Sequence, residues 1–184
     1  MIREIFNAHG KMQVTPAGDI IHLRDQMALI LEGVVKMLNS DGRVSRICRH
    51  REIIGALPLF LVDAQPTVCA AANEVRLLIL DHAAFRRVLE IGIDGREVIL
   101  SLCQHLLATT YSEVIQLESF KTLSPLKRVI RFLETQGPRF MAEGEITIPL
   151  TATEIGEIVG SSRPTVWRAI ATMKKEEKHG SGND

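Results

Sequence analysis

The sequence predicts an α+β chain in three parts: an N-terminal antiparallel β-roll, a long helix, and a C-terminal domain built on two short helices joined by a turn. Three observations carry this expectation. Between Lys11 and Leu80 the apolar residues come in short runs broken by turn formers, which is the patterning of strands. From about Asp94 to Ser119 no proline, and no glycine beyond Gly95, interrupts a helical periodicity. Leu150 to Glu177 reads LTATEIGEIVGSSRPTVWRAIATMKKEE, two short amphipathic segments flanking Gly-Ser-Ser.

In chain order, the strand-like runs are MQV, DIIHL, MALILEG, VVKML, VSRIC and VRLLIL, enough for a small antiparallel roll or barrel. Pro16–Asp19 and Asn39–Gly42 are the clearest turns, and Asp41-Gly42 is a pair that favours a tight hairpin. Asp81 can cap a helix whose apolar residues Ala84, Phe85, Val88 and Leu89 recur at helical spacing. These elements define a roll over 1–91. In the long helix, over 92–121, Ile99, Cys103, Leu106, Thr110, Glu113, Leu117 and Phe120 form a seam suited to a second copy of the chain. A helix packed only on its own roll would show a periodic face as well. Ser124-Pro125 restarts the chain as N-cap and first helical residue of a domain over 122–184. Leu126, Val129, Ile130 and Leu133 mark the buried face of this helix, Lys127, Arg128 and Arg131 the other, and Gly137-Pro138 its end. ITIPL, 146–150, reads as a short strand.

Lys plus Arg number 22 and so do Asp plus Glu, so no global field draws the chain to nucleic acid or to a membrane, and any nucleic-acid site must be local. There is no run of roughly 18 apolar residues and no charged-then-apolar leader, since Met1–Lys11 mixes Arg3, Glu4, Asn7 and His9. A cytoplasmic protein without a membrane role is expected. Cys48, Cys69 and Cys103 are far apart and odd in number, which suits reduced thiols and offers no paired zinc spacing. No nucleophile–base constellation, Gly-rich phosphate loop or paired metal ligand stands out, so no enzyme is expected.

The chemistry concentrates in the last segment. Thr151 followed by Glu154 is a capping box, Ile155, Ile158 and Val159 line the inner face, and Gly160 ends the first helix. Ser162 can cap the second, where Pro164 is tolerated in the first turn and Val166, Ile170 and Met173 face inward. This is a helix-turn-helix. Arg163, Pro164, Trp167 and Arg168 then project together away from the core. An arginine fork near a helix start can donate two hydrogen bonds to guanine O6 and N7 in the major groove. Thr153, Ser161, Ser162 and Thr165 suit phosphate oxygens, which set register. An αα-hairpin with a solvated arginine face is the alternative.

LTATEIGEIVGSSRPTVWRAI (150–170) resembles the DNA-binding domain of the cyclic-AMP receptor and fumarate–nitrate regulator (CRP/FNR) superfamily at nearly every defined position. The resemblance makes Arg163 and Arg168 base readers, with Ser162, Thr165 and Thr153 on the backbone. Pro164 stands where many relatives carry an acidic residue, and Trp167 where they carry a small one; proline cannot accept from cytosine N4, so specificity at that base is either relaxed or shifted to a hydrophobic contact with a thymine methyl group. More weakly, DIIHLRDQMALILEGVVKML (19–38) resembles the family's cyclic-nucleotide-binding-like roll and REIIGALPLF (51–60) its phosphate-binding segment. The long helix corresponds to the family's dimer helix. The implied protein is a homodimeric transcription regulator that binds double-stranded DNA, meets RNA polymerase and answers to a small effector.

By the same resemblance the effector site includes Gly55, Ala56, Leu57, Thr67, Thr109 and Thr110. Gly55-Ala56 and Pro66-Thr67 replace the family's Gly-Glu and its arginine followed by Ser or Thr. A buried phosphate without its cation is costly, so cyclic AMP is disfavoured. The iron–sulfur branch holds its cluster through N-terminal cysteines, and nothing before Cys48 fits. Haem remains open, with His22, His50, His82 and Cys48 as unassigned candidate ligands. KKEEKHGSGND, 174–184, reads as a disordered tail where relatives carry a two-stranded wing, whose backbone contacts would then be missing. The second functional class is a ligand-binding or interaction module with a degenerate DNA-binding domain.

Overall fold

The computed structural model describes residues 1–91, 95–137, 141–142, 145–146 and 148–180. Its elements are α1 (Ile2–His9), strands β1 (Lys11–Thr15), β2 (Ile20–Leu23), β3 (Gln26–Glu32), β4 (Val34–Leu38), β5 (Val44–Arg49) and β6 (Ile53–Ile54), a 3-10 turn (Leu57–Leu59), β7 (Thr67–Ala71), β8 (Val75–Asp81), α2 (His82–Ile91), α3 (Gly95–Lys121), α4 (Pro125–Gln136), the strand pair β9 (Met141–Ala142) and β10 (Glu145–Ile146), α5 (Ala152–Val159) and α6 (Arg163–Gly180). Contacts divide the chain into two units, Met1–Glu113 and Val114–Asp184.

In the first unit two four-stranded antiparallel sheets, ordered β1-β8-β3-β6 and β2-β7-β4-β5, bury their facing side chains. Ile21, Leu23, Ile30, Val35, Cys48, Cys69, Leu77 and Ile79 belong to this interior. The outer face of the first sheet is covered by helices, so Met27, Leu29, Leu78 and Leu80 pack with Ile2, Phe6, Phe85, Val98 and Leu102. Both faces of β8 are therefore dry, which is why VRLLIL reads as a continuous apolar run instead of alternating. At the β4–β5 hairpin Asn39 Oδ1 accepts from the Asp41 and Arg43 amides, and Gly42 supplies φ +74, the conformation that glycine adopts at least cost.

Three expectations about this unit change. Ile2–His9 forms α1, because Ile2, Ile5 and Phe6 share a face that closes over the first sheet. TVCAA is β7, paired between β2 and β4, although its small residues carry little strand signal. Glu113, expected on the dimer seam, ion-pairs with Arg46 of β5, and Leu106 packs on the roll.

Helix α3 buries Val98 and Leu102 and leaves Leu100, Leu107, Tyr111, Val114 and Leu117 exposed. Of the expected seam Ile99, Thr110 and Leu117 are exposed while Cys103 and Leu106 are half-buried, because the helix must also bury a face on the roll. Phe120 leaves the seam too, as part of the second unit's core. By length and composition alone α3 is apolar enough to cross a membrane, but it carries Glu97, His105 and Glu113, and its Val98 and Leu102 pack on the roll.

In the second unit α4, α5 and α6 pack around Phe120, Val129, Phe132, Ile155, Val159, Val166 and Ala169. Ser124 caps α4, accepting from the Lys127 amide, as expected. Pro138 lies outside the described residues, and Ile146 falls in the β9–β10 pair. The expected tail is helical as far as Gly180. Its Lys and Glu residues are strong helix formers even where low hydrophobicity signals a tail; 181–184 lie outside the described residues.

Candidate nucleic-acid interface

The turn between α5 and α6 is built from backbone requirements. Thr151 Oγ1 accepts from the Glu154 amide while the Glu154 carboxylate accepts from the Thr151 amide, closing the capping box. Gly160 ends α5 in the left-handed region, φ 63 and ψ 48, which a residue with a Cβ enters only at a cost. The Ser161 amide turns back to the Gly156 carbonyl at 2.8 Å. A Cβ on Gly156 would meet the Ser161 carbonyl oxygen at 2.5 Å, so the turn closes because position 156 has no side chain.

Helix α4 fixes that turn. Arg128 Nη1 donates to the Val159 carbonyl at 3.1 Å, placing a cation at the C-terminal end of α5, where the helix dipole favours it. Ser161 Oγ donates to the Pro125 carbonyl at 3.1 Å. Two expectations are corrected here. Arg128 is half-buried and belongs to the core side of α4, and the Ser161 hydroxyl is taken up by α4 instead of being offered to phosphate.

At the start of α6 the Ser162 carbonyl accepts from the Val166 amide at 3.1 Å. Val166 and Ala169 are buried, Ile170 packs beside them, and Met173 is half-buried. On the opposite side Arg163, Pro164, Trp167 and Arg168 are all exposed. Thr165 is only 6% exposed, so its expected phosphate contact gives way to an internal one. Its Oγ1 accepts from Arg168 Nη2 at 3.1 Å and lies 2.9 Å from the Ser162 hydroxyl. Ser162 and Thr153 are themselves exposed. The result is a guanidinium, Arg168, braced on Thr165, with a second exposed one, Arg163, five residues earlier at the start of the same helix. Sequence reasoning missed Gly156 and Arg128, whose roles depend on which backbone atoms come close.

The expected effector residues are more scattered. Gly55 has φ +78, and its carbonyl meets His82 Nε2 at 2.9 Å. Ala56 is buried, Leu57 exposed and Thr67 half-buried. Thr109 Oγ1 donates to the His105 carbonyl within α3, and Thr110 is exposed. His105, not anticipated, joins α3 to this segment: the Ile53 amide donates to its Nε2 at 3.1 Å. Burial pushes its pKa down, Glu52 pulls it up and Arg3 pushes it down further.

The candidate iron ligands do not converge. His22 and His50 are exposed, His82 is buried against Gly55, and Cys48 lies in the roll interior. Among the described residues no three His, Cys, Asp or Glu side chains gather as a metal-holding group. Burial raises the Cys48 thiol strongly and pushes Cys69 up to about 12, so both stay protonated and poor as ligands.

Residues 127–178 match the model of the Crp-like helix-turn-helix domain. No curated protein matches the sequence. Among solved structures, a CRP/FNR-family transcriptional regulator from Thermus thermophilus is 26% identical, with 90% of this chain and 87% of that one covered and a TM-score of 0.64. The c-di-GMP-responsive global regulator CLP of Xanthomonas campestris is 17% identical over 96% of this chain and 92% of that one, TM-score 0.69. FixK2 from Bradyrhizobium japonicum is 16% identical over 91% and 86%, TM-score 0.68. Since the braced arginine helix lies within the stretch that matches the Crp-like helix-turn-helix domain, and the β-roll and long helix before it share the fold of these solved regulators, the chain carries a Crp-like helix-turn-helix and is similar throughout to CRP/FNR-family transcription regulators.

Proposed function

We propose that the protein is a homodimeric, sequence-specific regulator whose β-roll takes a small effector other than cyclic AMP and whose two α6 helices read a palindromic site. The observation that carries this is the guanidinium of Arg168 braced on Thr165, together with the exposed Arg163, Pro164 and Trp167 in the first two turns of α6. Arg163 and Arg168 read guanine, Thr153 and Ser162 contact phosphate, Thr165 positions Arg168, and Pro164 and Trp167 complete the outward face. The regions 1–91, 92–121 and 122–184 act as sensor, dimer helix and reader. The dimer reading is supported by the exposed seam Leu100, Leu107, Val114 and Leu117, spaced like a coiled-coil stripe. Half-sites would then lie roughly 34–36 Å apart.

The effector reading draws on Gly55, Ala56, Leu57, Thr67, Thr109 and Thr110. Among the described residues no arginine of the roll is buried, and Ala56 offers a methyl group where a ribose hydroxyl would need a carboxylate. Effector binding would bias two arrangements of the dimer helix, one of which suits the operator. RNA polymerase is the further partner, and the cytoplasm the place of action.

Selection of duplexes from a random pool, followed by titration of wild type and Arg168→Ala, tests the reading. The wild type should select a palindrome, and the variant should lose about 10- to 100-fold of its discrimination at one base pair per half-site. Unchanged discrimination in the variant refutes the role of Arg168. A wild type that selects nothing even at low salt points instead to a degenerate domain.

A further inference from the structure

We infer that the outward face of α6 reads only hydrogen-bond acceptors and C5-methyl groups, so that Pro164 and Trp167 make thymine the second base of the half-site beside guanine. This rests on the DNA-binding reading above and goes on to name what is recognised. Of the exposed side chains in the first two turns of α6, Arg163, Pro164, Trp167 and Arg168, none can accept a hydrogen bond: guanidinium and indole N–H groups only donate, and proline offers neither donor nor acceptor; the Ser162 hydroxyl just before them is engaged with Thr165 at 2.9 Å. The nearby Thr165 hydroxyl is buried and already accepts from Arg168. Adenine N6 and cytosine N4 present donors in the major groove. Against this face they would lose water and gain no partner, a costly arrangement.

Guanine offers O6 and N7, and thymine offers O4 together with its methyl group. The two arginines supply donors for the first. Trp167 supplies both requirements of the second, an apolar ring for the methyl and an Nε1–H for O4. Trp167 is 55% exposed, and it lies three residues after Pro164, so the two apolar groups share a face. Among the described residues of Val114–Asp184 the other large exposed apolar side chains are Val114, Ile115 and Leu117, all on α3. The apolar patch on α6 is therefore separate from the seam proposed for pairing, and it is contiguous with the arginines.

The experiment uses the full chain and the duplex it selects, with each thymine of the half-site replaced in turn by deoxyuridine, which removes the methyl alone. Wild type should bind at least one such duplex about fourfold more weakly, the weight of one buried methyl group. Trp167→Ala should bind the thymine and uracil duplexes alike, and Trp167→Phe should keep the difference. At that same position 5-methylcytosine should bind better than cytosine. A selected site whose thymines can all become uracil without loss overturns this inference and leaves the DNA-binding reading standing. A wild type that selects no site overturns both.

Discussion

Arg168 reaches outward with its guanidinium already anchored on Thr165, which in turn touches Ser162. A side chain fixed before binding has less rotamer freedom to lose on contact, so the brace should appear as affinity. Thr165→Val keeps the buried volume and removes the hydroxyl; a loss of about 3- to 10-fold for the selected duplex, with an unchanged helical circular dichroism spectrum, is the expected result. His105 carries a second prediction at this scale. Its Nε2 must be unprotonated to accept from Ile53, and burial holds its pKa below the ordinary value. The folded ring therefore gains its proton at lower pH than the unfolded chain does. Its contribution to stability is complete above about pH 6.5 and is lost as pH falls through the lower folded value. Thermal unfolding between about pH 7 and pH 5 should drop more steeply in wild type than in His105→Gln, whose amide oxygen can accept the same bond without titrating.

Among the elements, α5 is short and depends on its ends. Removing the capping hydroxyl by Thr151→Ala should cost about 1 kcal/mol in chemical denaturation. Gly156→Ala drives a Cβ toward the Ser161 carbonyl, and no flexible neighbour can yield. A loss of about 1–3 kcal/mol, with weaker DNA binding than Thr151→Ala produces, is expected because the turn that sets α6 must shift. Helix α3 shows how one element serves two demands. Val98 and Leu102 face the roll while Leu100 and Leu107 stay open, so each stripe is narrower than an isolated heptad reading assigns.

For the whole molecule, the open stripe of α3 is the surface whose loss should change assembly. Leu107 is 69% exposed, so Leu107→Glu should leave the chain folded. In sedimentation it should shift the species from dimer to monomer, and binding to a palindrome should weaken far more than binding to a single half-site, because linkage of two readers is lost. An unchanged sedimentation profile would refute pairing through this stripe.

By itself the sequence determined what depends on neighbours along the chain. The strand-to-helix change, the Asn39–Gly42 hairpin, the Ser124 and Thr151 caps, the Gly160 stop and the Arg163, Pro164, Trp167, Arg168 face all follow from spacing and local backbone chemistry. Tertiary structure alone decided what depends on contacts between distant residues. It made β7 a strand by giving its small residues partners on both sides, and turned Ile2–His9 into a helix by offering Phe6 a dry surface. It buried Val98 and Leu102 of α3 against the roll, turned Thr165 and Ser161 inward, and set Arg128 on the end of α5. Local patterns record propensity and periodicity, whereas burial and hydrogen-bond partnership belong to pairs of residues far apart in the chain, and for those the packed fold decides.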